Sequence, residues 1–430
     1  MGAEDIDKNI SHWSRLEARL LCLTPRQRFL TLILLCISIY GVIMIMDGLF
    51  IRPFIDHNFA GSSDLHIFQE RAKLILNGGT IYRDVPYGSF RVESPPLINY
   101  LFLPPQLAGG EWWAYEIWFS FFSLLTSLVT YVALRGWNDH LAFIAALLIL
   151  LSPYLIIDST VGQQDEPIVA FFFILPILLF LRGREKGGTI AITLGFWTKF
   201  LSGILFPVML QKIPEWRKRL YHIGLAVLIT LLISIPFLYV TPIEFLQFPG
   251  YYTLGEEDGG AGMSIVGLLS TVGIVVPGNT GALITIAGLF ASYAYCWRRG
   301  LDIWRSCLVV TTVFLCIYPM IRLSYFIFPF MFLAVWSANN RRVLLRAIGM
   351  YVPLTIPQFV ESAISDGNIS TSYAWIGLVF LLIGFIIMID ATRIALKSEC
   401  FLDHPYKRAE PIFKSVSSIS SEEMVIDNIE

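Results

Sequence analysis

Charged residues are scarce in this chain of 430 residues. Asp, Glu, Lys and Arg together make up only 15% of it, 55% is hydrophobic, and the mean hydropathy is +0.65. Soluble domains carry about 25% charged residues. The shortage of charge therefore excludes a water-soluble globular domain of this length and predicts a protein built into a membrane.

Several motifs that would indicate other kinds of chemistry are also missing. There is no glycine-rich phosphate loop of a nucleotide-binding domain, and there is no HExxH or comparable zinc-binding spacing. The six cysteines fall in segments that we predict to be membrane or cytoplasmic, so no disulfide framework supports the outer loops. No stretch resembles a nucleic-acid-binding surface, and no nucleic-acid partner is predicted.

Long apolar runs, in contrast, are abundant. Runs of about 20 residues recur between Lys, Arg, Pro or polar clusters, and this is the length that a helix needs to cross about 30 Å of hydrocarbon. The first run, at 28–50, follows Arg15, Arg19, Arg26 and Arg28. That basic lead is too long for a cleaved signal peptide, so we predict a retained helix whose N-terminus faces the cytoplasm.

The basic loops predict an all-α integral membrane protein with about 12 transmembrane helices and both ends in the cytoplasm. After the first helix, the predicted spans are 113–134, 140–158, 167–182, a short pair at 188–198 and 200–211, 221–240, 281–297, 303–320, 325–339, 343–360 and 372–392. The short pair lies between two basic segments, so it must rise and return with its tip, "WTKF", near the opposite face. The segment 95–108 is predicted to lie along the outer leaflet without crossing.

These predictions divide the chain into four parts. They are a cytoplasmic N-terminal segment at 1–27, a catalytic membrane core at 28–340, C-terminal transmembrane helices at 341–392, and a largely disordered cytoplasmic tail at 393–430. Within the core, a large first outer loop at 51–112 carries juxtamembrane helices. Most Lys and Arg residues then lie on the cytoplasmic side, as the positive-inside rule requires.

The predicted outer face collects ionisable residues near the ends of helices. A polar stretch, "SSDLHIFQERAKLILNGGTIYRD" at 62–84, follows the first span and carries Asp64 near its start. Asp165, Lys199 and Arg322 lie at the outer ends of later spans. An ionisable group at the membrane boundary is costly unless it is paired or used, so these four residues are candidates for one shared site.

Five stretches occur in an order that resembles a known group of membrane enzymes. They are "SDLHIFQERAKLILNGGTIYRD", "SPPLINYLFLPP", "LSPYLIIDSTVGQQDEP", "GFWTKFLSGILFP" and "YPMIRLSYFIFP". In these stretches the chain is similar to integral-membrane glycosyltransferases of the GT-C type. Within them it most resembles the polyprenyl-phosphate-mannose-dependent mannosyltransferases, which include the first mannosyltransferase of GPI-anchor synthesis and its prokaryotic relatives. The resemblance covers roughly residues 25 to 340.

The resemblance implies a GT-C fold and the transfer of a hexose, mannose by preference, from a polyprenyl-phosphate donor. The acceptor would be a glycan, glycolipid or protein on the non-cytoplasmic face of a prokaryotic plasma membrane or an ER membrane. Asp64 is then the catalytic base of an inverting reaction. The GPI branch has an Asp-x-Asp here, but Ser62 replaces the first acid, so no divalent metal is required by the sequence and no cofactor is predicted. Membrane lipid and a small membrane subunit are further partners to consider.

The remaining candidate residues divide between the donor phosphate and the sugar. A departing phosphate is already a stable anion and needs positive charge more than a general acid. Arg322 offers a planar fork, Lys199 a compact ammonium and Tyr325 a hydroxyl. The side chains predicted to bind sugar hydroxyls are Gln163, Asp165, Glu166 and Glu93.

Each assignment has a structural alternative. Asp64 could cap the helix "LHIFQERAKLIL", and Asp165 and Glu166 could cap the helix that follows them. Lys199 could be an interfacial anchor, and Arg322 could pair with an acid. The alternative function is a transporter or flippase of lipid-linked sugars, but such a protein would be expected to show paired repeats and charges near the bilayer midplane.

Overall fold

The computed structural model describes residues 22–54, 64–84, 94–247, 278–319, 321–365 and 370–407, with the isolated residues 264, 265, 269, 273, 274, 368 and 412. Every extended element of regular structure in these ranges is a helix, which confirms the predicted all-α class. Two residues discussed above, Ser62 and Glu93, lie outside the described residues, and so do 1–21 and 413–430.

The first half of the chain begins with a long helix and continues through short helices into a bundle. Its helices are α1 Pro25–Met46, α2 Leu65–Leu76, α3 Pro96–Leu101, α4 Leu103–Leu107, α5 Trp112–Leu134, α6 Asp139–Leu150, α7 Pro153–Ser159, α8 Glu166–Leu181 and α9 Glu185–Thr198. A π-helical turn, Asp47–Ile51, extends α1. The segment predicted to lie along the outer leaflet forms the short helices α3 and α4, each broken or started by proline.

The second half adds both long and short helices. They are α10 Phe206–Lys212, α11 Trp216–Val240, α12 Pro242–Gln247, α13 Gly278–Arg299, α14 Ile303–Ile317, α15 Ile327–Ser337, α16 Arg341–Gly349, α17 Tyr351–Ser365 and α18 Ala374–Lys397. Short 3-10 helices at Phe200–Leu205, Leu323–Phe326, Thr371–Tyr373 and Phe401–Asp403 flank them.

Six helical stretches in the described part of the chain are long and apolar enough to cross a membrane. They are Pro25–Phe54, Trp112–Leu134, Trp216–Val240, Thr280–Arg298, Arg341–Val360 and Thr371–Asp403. The pair formed by α6 and α7, bent by 47°, makes a seventh if it is one span. Other apolar helices, such as α8 and α14, are shorter than 18 residues. The predicted total of twelve crossings is therefore not confirmed, although the protein is a multi-pass membrane protein.

One end of the bundle is held together by pairs of arginine and aspartate. Arg28 at the start of α1 pairs with Asp139 at the start of α6. Arg305 at the start of α14 pairs with Asp403, which follows α18, at 2.7 Å. These contacts join helices that are far apart in sequence, and we refer to this end as the basic end.

The opposite end, which we call the loop end, carries the predicted site residues. Helix α8 begins there at Glu166, and the residue after its last turn, Arg182, lies 4.6 Å from the ring centre of Tyr406 at the basic end. Helix α14 runs in the opposite direction: it begins at the basic end and finishes shortly before Arg322. The directions of these two helices therefore bring Glu166 and Arg322 to the same end of the molecule.

The short helix α9 reaches the loop end and the chain then turns back. At Gly195 an added Cβ would lie 2.9 Å from the carbonyl oxygen of Phe172 and 2.9 Å from the hydroxyl of Ser202. Small residues allow such close approach between helices in membranes. Because Ser202 follows the turn at Lys199, the chain returns along α9, as predicted for the short pair.

Candidate active site

The loop between α7 and α8 places two acidic residues at the start of α8. The loop folds back on α7, because Gly162 N donates to the carbonyl of Ile157 and Gln164 N to that of Asp158, at 2.8 and 2.9 Å. Asp165 occupies the N-cap position of α8, yet its side chain makes no capping hydrogen bond. The structure therefore does not show the capping alternative for Asp165, whereas Glu166 lies in the first turn of α8.

Lys199 forms ion pairs with both of these carboxylates. Its Nζ donates to Asp165 Oδ1 at 3.0 Å and to Glu166 Oε1 at 2.7 Å. The side chains of the three residues are 13%, 14% and 2% exposed, in the order Lys199, Asp165, Glu166. An ammonium shared by two carboxylates in a place with little water is held far more firmly than a snorkelling interfacial lysine.

The aromatic ring of Tyr325 forms another wall of this cluster. Its centroid lies 4.9 Å from Lys199 Nζ, which is a cation–π distance. The 3-10 helix Leu323–Phe326 begins immediately after Arg322, and Tyr325 N donates to the Arg322 carbonyl at 3.1 Å. Tyr325 is within electrostatic reach of Lys199, Glu166, Asp165 and Arg322. The structure thus brings four of the predicted site residues around one tyrosine.

Asp158 adds a carboxylate that the sequence analysis did not select. It lies near the end of α7, is 7% exposed, and interacts electrostatically with Glu166 and Lys199. Within the described part of the chain, its Oδ2 atom has no hydrogen-bond partner. The available signal was an aspartate that closes the apolar run "PYLIID".

A second buried network surrounds Arg52 and supports the same loop. The guanidinium donates to Asp47 Oδ2 at 2.7 and 3.0 Å, to Gln163 Oε1 at 2.9 Å and to Glu116 Oε1 at 3.3 Å. Gln163 Nε2 in turn donates to Glu116 Oε1 at 2.9 Å. Asp47 and Glu116 are fully buried. Gln163, predicted to bind sugar, is itself buried and uses its amide to fix the loop before α8.

The π-helical turn explains how Arg52 reaches Asp47. Residues five apart lie on different faces of an α-helix, whereas the wider π turn brings them onto one face. Gly48 lies within this turn, and an added Cβ there would be 2.6 Å from the indole of Trp112. Arg52 lies 5.8 Å from the centre of the same indole. Sequence reasoning missed Asp47, although an acid inside the run "VIMIMDGLF" was a visible signal.

We expect Arg52→Met to lower the free energy of unfolding by about 3–5 kcal/mol, because it would leave two buried carboxylates without their cation. Arg52→Lys should recover only part of this loss, since an ammonium cannot reproduce the fork. Thermal unfolding of the purified protein in detergent measures the effect. The matched control is Arg83→Met. The Arg83 side chain is 55% exposed beside Asp84, so its loss should change the free energy of unfolding little. Equal stability of the Arg52→Met and Arg83→Met variants would contradict a supporting role for the network.

Asp64 immediately precedes the first residue of α2, and its side chain does not cap the helix. Its backbone is at the N-cap, but no side-chain capping hydrogen bond is formed to the helix, and the residue is exposed. Leu65 belongs to the same buried hydrophobic cluster as Ile168 in the first turn of α8. The start of α2 is therefore attached to the loop end of the bundle, where the Lys199 cluster lies.

Polar contacts anchor the rest of the segment that carries Asp64. Arg71 Nη1 donates to Ser94 Oγ at 2.6 Å, and the Tyr82 hydroxyl donates to the Ser94 carbonyl at 3.0 Å. Burial raises the pKa of Tyr82 well above its usual range, so the hydroxyl keeps its proton at physiological pH. These bonds hold the chain at Ser94, next to Glu93. Glu93 lies outside the described residues, and its predicted contact with sugar stays a prediction.

The described ranges contain no group of three His, Cys, Asp or Glu side chains arranged to hold a metal ion. The two networks around Lys199 and Arg52 instead combine carboxylates with a cation and amide or aromatic groups. Such an arrangement can accept hydrogen bonds from hydroxyl groups at its edge and hold an anion at its cationic side.

Comparison with known families identifies the class of enzyme. The model of glycosyltransferase family 87 matches residues 94–319, more than half of the 430-residue chain. The match includes the loop before α8 and Lys199, whereas Asp64 precedes it and Arg322 follows it. No curated protein was found to match the chain. The chain belongs to glycosyltransferase family 87 and is a membrane glycosyltransferase of the GT-C type.

Proposed function

We propose that this protein moves a hexose, mannose by preference, from a polyprenyl-phosphate donor to a lipid- or protein-linked acceptor on the non-cytoplasmic face. The family supplies the reaction class. The observation that carries the donor proposal is the group of Lys199, Tyr325 and Arg322 at the loop end, because a leaving phosphate needs cations and hydroxyl donors there.

In the proposed reaction Asp64 is the general base. It accepts the proton of the acceptor hydroxyl while that oxygen attacks C1 of the sugar from the face opposite the phosphate. The bond between C1 and the phosphate oxygen breaks, and its electron pair leaves with the phosphate. One bond forms and one breaks in a single displacement, which inverts the configuration at C1. Because the phosphate has a second pKa of about 6, it leaves as an anion without a general acid.

The proposal gives the other residues positions around the donor. Arg322, which is exposed, and the Tyr325 hydroxyl bind the phosphate, with Lys199 at the same side. The two carboxylates that share the Lys199 ammonium, Asp165 and Glu166, accept hydrogen bonds from sugar hydroxyls. A lipid-linked donor can enter sideways between helices, so its phosphate arrives at the level of this cluster.

The test of this function is turnover by the purified full-length protein. With polyprenyl-phosphate mannose and solubilised lipids from the native membrane as acceptors, we expect release of polyprenyl phosphate and appearance of mannose on an acceptor with inverted anomeric configuration. A transporter would release no polyprenyl phosphate. Turnover with a nucleotide sugar in place of the lipid-linked donor, or a retained anomeric configuration, would contradict the proposal.

A further inference from the structure

A groove with a volume of about 790 Å³ opens between α13, α14 and α18, and no residue of the Lys199 cluster lines it. Most of its wall is apolar, from residues that include Val309, Val313, Ile317, Ile389 and Leu396. The two threonines on its wall, Thr312 and Thr392, bond to each other at 3.0 Å across the α14–α18 contact. The groove thus presents a largely hydrocarbon surface, on which these two hydroxyls bond to each other.

Three cations surround the basic end of this groove. Arg299 is the last residue of α13, and Arg393 and Lys397 are one turn apart in the last turns of α18. All three side chains belong to exposed residues. In the described part of the chain, none of them forms an ion pair with an acid.

Of the four acids that lie close in sequence, Asp302, Asp390 and Asp403 pair with other arginines, and the exposed Glu399 forms no ion pair in the described part of the chain. Asp302 and Asp403 both pair with Arg305, at 2.6 and 2.7 Å. Asp390, one turn before Arg393, pairs with Arg346 instead. Three cations thus face one carboxylate that no arginine engages, Glu399, and the mouth of the groove keeps a net positive charge.

The dimensions of the groove match one leaflet of a bilayer. From Val309 to Ile317 on α14, and from Ile389 to Lys397 on α18, the helices rise about 12 Å each at 1.5 Å per residue. Half of a hydrocarbon core of about 30 Å is about 15 Å. Both α13 and α18 lie in stretches apolar enough to span the membrane, so the groove is at membrane depth and its cations are at the headgroup level.

We propose that this groove binds an anionic membrane phospholipid, with its phosphate between Arg299, Arg393 and Lys397 and an acyl chain along α14 and α18. Charge complementarity decides the headgroup, because the net positive charge of the mouth favours an anionic lipid over a zwitterionic one. The apolar wall favours a lipid over a soluble phosphate compound as the source of the phosphate, since a soluble compound would leave the hydrocarbon surface uncovered. The cations that hold the phosphate lie at the opposite end of α14 from Arg322, and none of the residues assigned to the sugar donor lines the groove.

Native mass spectrometry of the full-length protein in detergent, titrated with dioleoyl-phosphatidylglycerol, tests this site. We expect one saturable lipid, with an affinity at least about tenfold higher than for dioleoyl-phosphatidylcholine, because a charge-assisted contact contributes about 1.4 kcal/mol or more. The Arg393→Ala/Lys397→Ala variant should lose this preference, and Arg393→Lys/Lys397→Arg should keep it. Val313→Trp, which fills the groove, should weaken both lipids.

The matched control is Arg298→Ala, because Arg298 is an exposed neighbour of Arg299 that does not line the groove. Its lipid affinity should equal that of the unchanged protein. Glycerol phosphate should not displace the lipid. Equal binding of both lipids, equal weakening by Arg298→Ala, displacement by glycerol phosphate, or a protein subunit found seated in the groove would each overturn the proposal.

Discussion

Asp64→Asn is expected to reduce the rate of sugar transfer by about 10²–10⁴-fold, which is the usual contribution of a general base. The amide has nearly the same shape as the carboxylate but cannot accept the proton of the acceptor hydroxyl. Because Asp64 is exposed and does not cap α2, the stability of the variant should stay within about 0.5 kcal/mol of the unchanged protein. The KM for the donor should change little while kcat falls, since the interaction lost is made in the transition state.

A second substitution separates catalysis from helix capping. Asn caps helices as well as Asp does, whereas Ala does not and costs about 1 kcal/mol at a true cap. If Asp64 served as a cap, Asp64→Asn would remain active and Asp64→Ala would be less stable. The matched control is Glu70→Gln, another exposed acid on α2, which should leave turnover unchanged. Turnover of Asp64→Asn close to that of the unchanged protein would remove Asp64 from the mechanism.

Hydropathy and charge predicted that this is an all-α membrane protein, and they predicted which ionisable residues lie at its loop end. Apolar runs and basic loops follow directly from the cost of placing charge in hydrocarbon, so the all-α membrane class could be predicted from sequence. The short pair with Lys199 at its tip was predicted for the same reason. The sequence analysis had named Asp165 and Lys199 as candidates for one shared site, and the structure adds that Lys199 pairs directly with both Asp165 and Glu166.

The rotation of each helix could not be predicted from hydropathy. Arg52 bonds to Gln163, a residue 111 positions later, and the sequence gives no information about which face of α1 turns toward that loop. The π turn that aligns Arg52 with Asp47 has no hydropathy signal either. Gln163 was consequently predicted to bind sugar at the surface, whereas it is buried and hydrogen-bonded on both sides of its amide.

The same limitation applies to the number of crossings. The distribution of Lys and Arg predicts on which side of the membrane each loop lies, but it gives no information about the length of each helix. Helix α8 is 16 residues and α14 is 15, below the length of about 20 that an untilted span needs. Most residues of both helices are buried against other helices. Packing within the bundle therefore stabilises them, and they do not depend on contact with lipid.

Lys199→Met is expected to lower the free energy of unfolding by about 3 kcal/mol or more, because two carboxylates would remain in a nearly buried site without their cation. The effect is measured as a lower apparent melting temperature in detergent. The triple variant Lys199→Met/Asp165→Asn/Glu166→Gln should recover most of the lost stability, since the two acids that pair with Lys199 then carry no charge. A melting temperature of Lys199→Met equal to that of the unchanged protein would show that the ion pairs do not stabilise the fold.

Comparison of the triple variant with the double variant Asp165→Asn/Glu166→Gln isolates the role of Lys199 toward the donor. Both carry the same changes in the acids, so any loss of sugar contacts is common to the two. If the ammonium contacts the donor phosphate, the triple variant should have a donor KM about tenfold higher than the double variant, as expected for the loss of one charge-assisted contact. Equal donor KM values would assign Lys199 to the positioning of Asp165 and Glu166, and would leave the phosphate to Arg322 and Tyr325.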